Sequence, residues 1–361
     1  MRYFSLRDLD WPLVIIAIVI SALGVLQIYS ATYATQWRGA WWKQIIFVVA
    51  GLAIMWFMAS IDYHSLMGKV PILYLVSIVT LMAVLLVGTR VFGSRRWIII
   101  LGFTFQISEF VKLVLILLVA RFLTELRTDT LDGRELLKLS GLVGLPMLLV
   151  AKQPDLGTAL TYLPILAIGV YLAGLRTQYL VVIGLLVVFV VPVSWTFLHD
   201  YQKARLASFL NPDRDPRGTG YQTIQSKIAV GAGGMWGQGV AKGTQTQLRF
   251  LPVPHTDFIF SAFAEEHGFV GVVIVLALYF MLLMQIVQNA QTAPDRAGMY
   301  ICMGVVALLV FHLLVNVGMV VGRMPVTGIP LPLMSAGGSN TLSTFLMLGL
   351  VNNVRLRRFV N

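Results

Sequence analysis

Apolar residues run along most of this chain in stretches of about 20, the length that carries an α-helix across a hydrocarbon layer, with short polar connections between them. The runs predict ten spans, over 11–30, 42–60, 70–88, 106–124, 136–151, 157–174, 179–198, 262–286, 299–320 and 337–354. The first has no small-residue cleavage pattern behind it and reads as a retained helix. One interval breaks the rhythm. From Asp200 to Gly268 the chain turns polar, opening HDYQKARLASFLNPDRDP and closing PHTDFIFSAFAEEHG. Between these lie Gly231, Gly233, Gly234, Gly237, Gly239 and Gly243, interleaved with Trp, Met, Ile and Val. That mixture is too apolar for a solvated tail, and a loop of this length is either disordered or functional. The expectation is an all-α membrane protein with a single integral membrane domain over 1–361. It is a polytopic bundle of about ten transmembrane helices, with a large structured extracytoplasmic loop, 199–261, between spans 7 and 8.

Composition supports the membrane reading: 58% of the 361 residues are hydrophobic and 12% are charged, against about 25% charged in an ordinary soluble domain. An even number of spans puts both ends on one side. The basic residues at the ends (Arg2, Arg7, Arg355, Arg357, Arg358) and in the even connections assign that side to the cytoplasm. The outward connections are also basic. The long loop holds Lys203, Arg205, Arg214, Arg217, Lys227, Lys242 and Arg249 against four aspartates. With a net charge of +11, the partner expected in a membrane is an anionic lipid or lipid-linked substrate, not nucleic acid. The single cysteine, Cys302, cannot form an internal disulfide. The short cytoplasmic pieces hold no Gly-rich phosphate loop, which argues against ATP-driven transport by this chain.

Several polar groups have no reason to be in lipid-facing helices. Glu109 and Lys112 lie three residues apart in span 4, share a helix face and can pair. They read either as a structural ion pair or as the wall of a wet cavity. In the turn KQPDLGT, Asp155 is expected to cap the next helix. The run from Arg323 to Asn340, rich in Pro and Gly, cannot be a regular helix and must be buried in protein or line a cavity. Asp257 enters span 8 directly after the basic loop. It is either the N-cap of that span or a half-desolvated general base, with burial raising its pKa and nearby cations opposing the rise. Outer basic residues can hold a leaving phosphate or pyrophosphate, and glycines let backbone approach it. Glu265 and Glu266 read best as carboxylates bound to an arginine across the bundle. His255 and His267 lie near these acids. A divalent cation such as Mg or Mn is compatible with the oxygens, but the residues do not fix a metal.

The ordered motifs resemble the SEDS family (shape, elongation, division and sporulation proteins) over essentially the whole chain. They are RRWI at 95–98, QISEFVKL at 106–113, QPDLGTA at 153–159, the segment RLASFLNPDRDPRGTGYQTIQSKIAVGAGGMWGQG at 205–239, GTQTQLRFLPVPHTDFIFSAFAEEHG at 243–268, and NVGMVVGRMPVTGIPLPLMSAGGS at 316–339. QSKIAVGAGG followed by GTQTQLRFLP looks more like the RodA elongation branch than the division branch. The resemblance implies an inverting glycosyltransferase in the bacterial plasma membrane. It would polymerise lipid II at the outer face for cell elongation and rod shape, releasing undecaprenyl pyrophosphate. By the family's HTDFIF motif the catalytic role passes to Asp257. Arg205, Lys227 and Arg95 become candidates for holding phosphate, and Glu109, Lys112, Gln153 and Asp155 further substrate contacts. The implied partners are a class B penicillin-binding protein and other membrane proteins of the elongation machinery. Ile107, Val253 and Ala336 depart from the usual residues, and none of these removes the aspartate. The rival readings are a lipid II flippase and a non-catalytic scaffold for the transpeptidase.

Overall fold

The computed structural model describes residues 9–33, 35–91, 94–100, 103–126, 131–175, 179, 196, 200–211, 218 and 220–358. Helix α1 (Trp11–Thr32) starts where the side chain of Asp10 accepts from Leu13 N and Pro12 occupies the first turn. There follow α2 (Ala40–Ser60), the short α3 (Tyr63–Gly68), α4 (Val70–Val87), α5 (Ile107–Thr124), α6 (Gly133–Ala151), α7 (Leu156–Leu160) and α8 (Tyr162–Leu172). Beyond them come α9 (Asp200–Leu210), α10 (Tyr221–Ala232), α11 (Thr244–Gln247), α12 (Ile259–Gln291), α13 (Arg296–Val320) and α14 (Gly338–Arg357). The chain is an integral membrane protein. Among the described residues, α1, α2, α4, α12 and α13 are long and apolar enough to cross a membrane. Nine of the ten expected spans coincide with helices or, at 157–174, with the α7–α8 pair. The expected span 179–198 lies outside the described residues.

The all-α expectation needs one correction. Between α4 and α5 the chain forms β1 (Thr89–Val91), β2 (Ser94–Ile100) and β3 (Phe103–Phe105), an antiparallel sheet in the order β1-β2-β3. The run Trp97–Ile100 supplies the aromatic and β-branched residues that suit a pleated surface. The basic pair beside it gave the stretch the look of a plain polar connection.

The bundle is closed by its ends. α14 lies along α2, α12 packs on α1 and α13, and α13 packs on α5 and α8. Asp10, fully buried, accepts from Gln285 Nε2 at 2.9 Å and Asn289 Nδ2 at 2.6 Å and pairs with Arg355 Nη1 at 2.9 Å. This knot ties α1 to α12 and α14. A carboxylate in a low-dielectric interior needs such donors to remain there.

The glycine-rich part of the polar interval, 231–243, docks on α12 at a break in that helix. Gly268 has φ 65° and ψ −167°, far from helical. At a break of this kind the carbonyls of Glu265 and Glu266 lose the amides of Phe269 and Val270. Here the glycine-rich loop takes both sides of the exchange. Gln238 N and Gly239 N donate to the two orphaned carbonyls at 3.0 Å each, while Phe269 N and Val270 N donate to Gly234 O at 2.8 Å and Met235 O at 3.1 Å. A Cβ on Gly268 would meet Gly237 N at 2.3 Å, and one on Gly237 would meet Glu266 O at 2.1 Å. These glycines serve the approach of loop to helix, where the sequence had suggested approach to a phosphate. Gly268→Ala combines left-handed strain with overpacking and is expected to destabilise the fold by about 3 kcal/mol or more. A thermal melt of detergent-solubilised protein should show it as a clearly lower midpoint.

Candidate active site

The residue before the cap of α12 is Asp257. Its neighbour Phe258 occupies the cap position and makes no side-chain cap bond, so the capping reading of Asp257 does not hold. Its backbone is pinned from elsewhere. The carbonyls of His255, Thr256 and Asp257 lie outside any helix and need donors. They receive Ala336 N at 2.9 Å, Ser335 Oγ at 2.8 Å and Asn316 Nδ2 at 3.1 Å respectively. The irregular run Arg323–Asn340 supplies two of the three donors, and α13 supplies the third. On the side-chain face, a Cβ on Gly328, where φ is 75°, would stand 3.4 Å from Asp257 Oδ2. A side chain there would be in ordinary contact with the carboxylate, and the positive φ is what favours glycine at this position.

The charges around Asp257 come from two directions. Arg96 on β2 pairs with Asp155 Oδ1 at 3.1 Å, and Arg205 on α9 donates from Nη1 to Val326 O at 3.2 Å. Asp155, 4% exposed, also accepts from Gln106 Nε2 at 2.6 Å and caps α7 through Thr158 N at 3.3 Å. Its expected capping role is therefore real, with an ion pair added. Burial raises the pKa of Asp257 above the ordinary aspartate range. The guanidiniums of Arg96 and Arg205 and a hydrogen bond with Thr256 pull it back in part, and Asp155 adds to the rise. The outcome is a half-buried carboxyl with a raised pKa beside two arginines, the arrangement of a general base next to an anion-holding pair. His255 is also shifted, downward, by burial, and its ring lies 5.8 Å from that of Trp37.

The remaining candidates are placed as follows. Glu109 and Lys112 form the expected pair, with Nζ donating to both carboxylate oxygens at 2.9 Å, and both are almost fully buried. Gln153 donates to Leu81 O at 3.0 Å, which binds the α6–α7 turn to α4. Lys227 is exposed on α10, its stem lying across Gly322. Arg95 pairs with Arg90 in the β1–β2 register; its side chain lies outside the described residues. The arginine partner expected for Glu265 and Glu266 is not there among the described residues. Glu265 accepts instead from Gln245 N at 2.6 Å, Thr246 N at 3.0 Å and Thr246 Oγ1 at 2.7 Å, holding the start of α11, and Glu266 accepts from Ser30 Oγ at 2.5 Å. Both carboxylates therefore serve the docking of the loop. His267 stacks on Phe263 with ring centroids 4.2 Å apart. Among the described residues no group of three or more His, Cys, Asp or Glu gathers that could hold a metal. Sequence reasoning passed over Arg96 in favour of its neighbour, and passed over Asn316, His312 and Gly328. Arg96 was visible inside the RRWI motif. The two polar residues were visible as a pair four apart in an otherwise apolar run.

The model of the cell cycle protein family that groups FtsW, RodA and SpoVE matches residues 10–358. The peptidoglycan glycosyltransferase MrdB of Escherichia coli K12 is 39% identical over 352 residues, covering 97% of this chain and 94% of that protein. The peptidoglycan glycosyltransferase RodA of Treponema pallidum is 32% identical over 433 residues, covering 99% of this chain and all of that one. Among solved structures, a chain of a peptidoglycan synthase complex, described as coordinating polymerization and crosslinking, superposes with a TM-score of 0.84 at 34% identity, covering 98% of this chain and 99% of that one. The crystal structure of the rod shape determining protein RodA of Thermus thermophilus superposes with a TM-score of 0.73 at 30% identity, covering 97% and 98%.

Arg96 is the largest of the charges that oppose the raised pKa of Asp257. Arg96→Gln removes it and strips Asp155 of its counter-ion, so the Asp257 carboxyl is expected to stay protonated to a higher pH. Carbodiimide labelling of Asp257, which needs the protonated acid, should extend to higher pH in the variant than in the wild type, read by peptide mass mapping.

Proposed function

The chain belongs to the cell cycle protein family of FtsW, RodA and SpoVE, and we propose from its geometry how it works: it is a peptidoglycan glycosyltransferase whose base is Asp257. The observation that carries this reading is the pinned, half-buried carboxyl of raised pKa between Arg96 and Arg205. A base of that kind takes the proton from the 4-hydroxyl of one lipid-linked disaccharide. The freed oxygen attacks C1 of the other sugar chain, the bond from C1 to pyrophosphate breaks with inversion, and undecaprenyl pyrophosphate leaves as the anion. Arg96 has a buried Nε without an acceptor among the described residues, a donor ready for a phosphate oxygen. With Arg205, Lys227 and Arg95 it forms the proposed phosphate-holding set. Glu109, Lys112, Gln153 and Asp155 complete the proposed cavity wall.

Among the described residues, Asp155 is the carboxylate that acts on Asp257, and it is already engaged by Arg96, Gln106 and Thr158. Were a divalent cation such as Mg or Mn to take part, Asp257 is the residue that would hold it, and the cation would supply positive charge for the leaving group. The accompanying topology is ten spans in the bacterial plasma membrane, with both termini cytoplasmic and residues 199–261 facing outward. The partner of stated chemistry is a class B penicillin-binding protein that crosslinks the strands made here, within the elongation machinery that sets rod shape. The likeness to a chain of a complex described by polymerization and crosslinking supports it.

Asp257→Asn is expected to lower polymerisation of purified lipid II, with the cognate transpeptidase present, by about 10²–10⁴-fold, the share a general base supplies. Wild-type strand ladders from a folded variant would remove Asp257 from the reaction. Because the base works as the anion and its pKa is raised, wild-type activity should fall on acidification at a pH above the ordinary aspartate range. Gly328→Ala puts a side chain on a backbone of φ 75° beside Oδ2; relief of that strain shifts the backbone next to the base and should lower activity, on the order of 10²-fold for a displacement of about 1 Å.

A further inference from the structure

We propose that Asn316 and His312, one turn apart on α13, are positioning residues that carry the rigidity of the intramembrane Glu109–Lys112 pair to the Asp257 carboxylate; this rests on Asp257 being the base. From Gly304 to Val320 they are the only residues of α13 with hydrogen-bonding side chains. Four apart, they share a face, and both are buried, His312 to 2% and Asn316 to 0% exposure. Polar groups at this depth are costly and persist where they have work to do.

The hydrogen bonds form two runs joined through the Ile329–Pro330 backbone. Lys112 Nζ has three protons, and two go to the oxygens of Glu109 at 2.9 Å. The third faces His312 Nε2 at 3.2 Å. His312 Nδ1 lies 3.0 Å from Pro330 O. A carbonyl only accepts, so Nδ1 carries the proton and Nε2 offers its lone pair to the lysine, a single tautomer satisfying both contacts. The next carbonyl back, Ile329 O, accepts from Asn316 Nδ2 at 2.9 Å, and the same amide nitrogen donates to Asp257 O at 3.1 Å. Both amide protons of Asn316 are thus committed, one to the segment 328–330 and one to the base itself. Gly328 begins that segment, and a Cβ on it would stand 3.4 Å from Asp257 Oδ2. Two side chains on one helix face therefore hold both the backbone that carries the carboxylate and the backbone it rests against.

The test is steady-state polymerisation of purified lipid II by the full chain with its transpeptidase, across a lipid II titration. Asn316→Leu keeps the volume and removes both donors. The expected result is an unchanged KM with kcat lower by about 10²-fold. His312→Ala should lower kcat by about tenfold, since it acts one link further away. His312→Asn, whose amide nitrogen can take the place of Nδ1, should recover most of that loss. A wild-type kcat in Asn316→Leu, a loss appearing in KM instead, or no recovery by His312→Asn would overturn the proposal. If the leucine variant does not fold, Asn316→Ser, which keeps one donor, is expected to fall between the two, and a wild-type kcat there is equally fatal. Asp257→Asn is run alongside. Full activity in it removes the base itself, whereas an inactive Asp257→Asn beside a fully active Asn316→Leu removes only the positioning role.

Discussion

The structure depends on an exchange of backbone hydrogen bonds at Gly268. A helix interrupted inside a membrane protein exposes amides and carbonyls that lipid cannot satisfy, and each orphan costs several kcal/mol. Here two helical bonds are given up and four are made, all with the loop 234–239. The arrangement satisfies the break and fixes the loop at once. Glu265 and Glu266 then extend the contact through their side chains, to the start of α11 and to Ser30 on α1. The first half of α12 is held in place by this docking, and Asp257 lies two residues before its first turn. Placing the carboxylate is therefore inseparable from docking the loop.

At Asp257 two electrostatic effects of opposite sign meet, and burial wins. Two unpaired, desolvated guanidiniums at close range would have driven the carboxyl below its ordinary value. Arg96 is instead neutralised at close range by Asp155, and Arg205 is exposed to solvent and turned toward Val326 O. Their influence on Asp257 is correspondingly weakened, while desolvation is not screened. The Asp155–Arg96 pair thus has a consequence for the base that neither residue has alone. It keeps a cation beside the site for an incoming anion without forcing the base to remain a weak one.

The spans were legible in the sequence because a continuous apolar run needs no partner to be recognised. The Glu109–Lys112 pair was legible for a related reason: its spacing fixes a common helix face. Asp257 was legible as a candidate base and equally as a cap, since a carboxylate at a loop–helix junction serves as either; the position of Phe258 removes the cap reading. The sheet at 89–105 was missed because its basic residues masked a β-branched run. The fate of Glu265 and Glu266 was misjudged because their partners are backbone amides and a serine, which no charge pattern announces. Asn316 and His312 were missed because their partners are carbonyls of an irregular segment, and only the tertiary fold says which carbonyls those are.

The site exists only once distant parts of the chain have met. The donors to the carbonyls of His255, Thr256 and Asp257 lie 81, 79 and 59 residues further along the chain. Nothing within the loop or the first half of α12 replaces them, since those carbonyls lie outside the helix. The placement of the Asp257 carboxylate is therefore not a property of the motif that contains it. It comes into being when α13 and the segment leading to α14 close against the earlier helices. Arg205 on α9 is held by the same late segment, through Val326 O, so one arginine beside the carboxylate also waits for that closure. Closing the bundle and assembling the site are the same folding event.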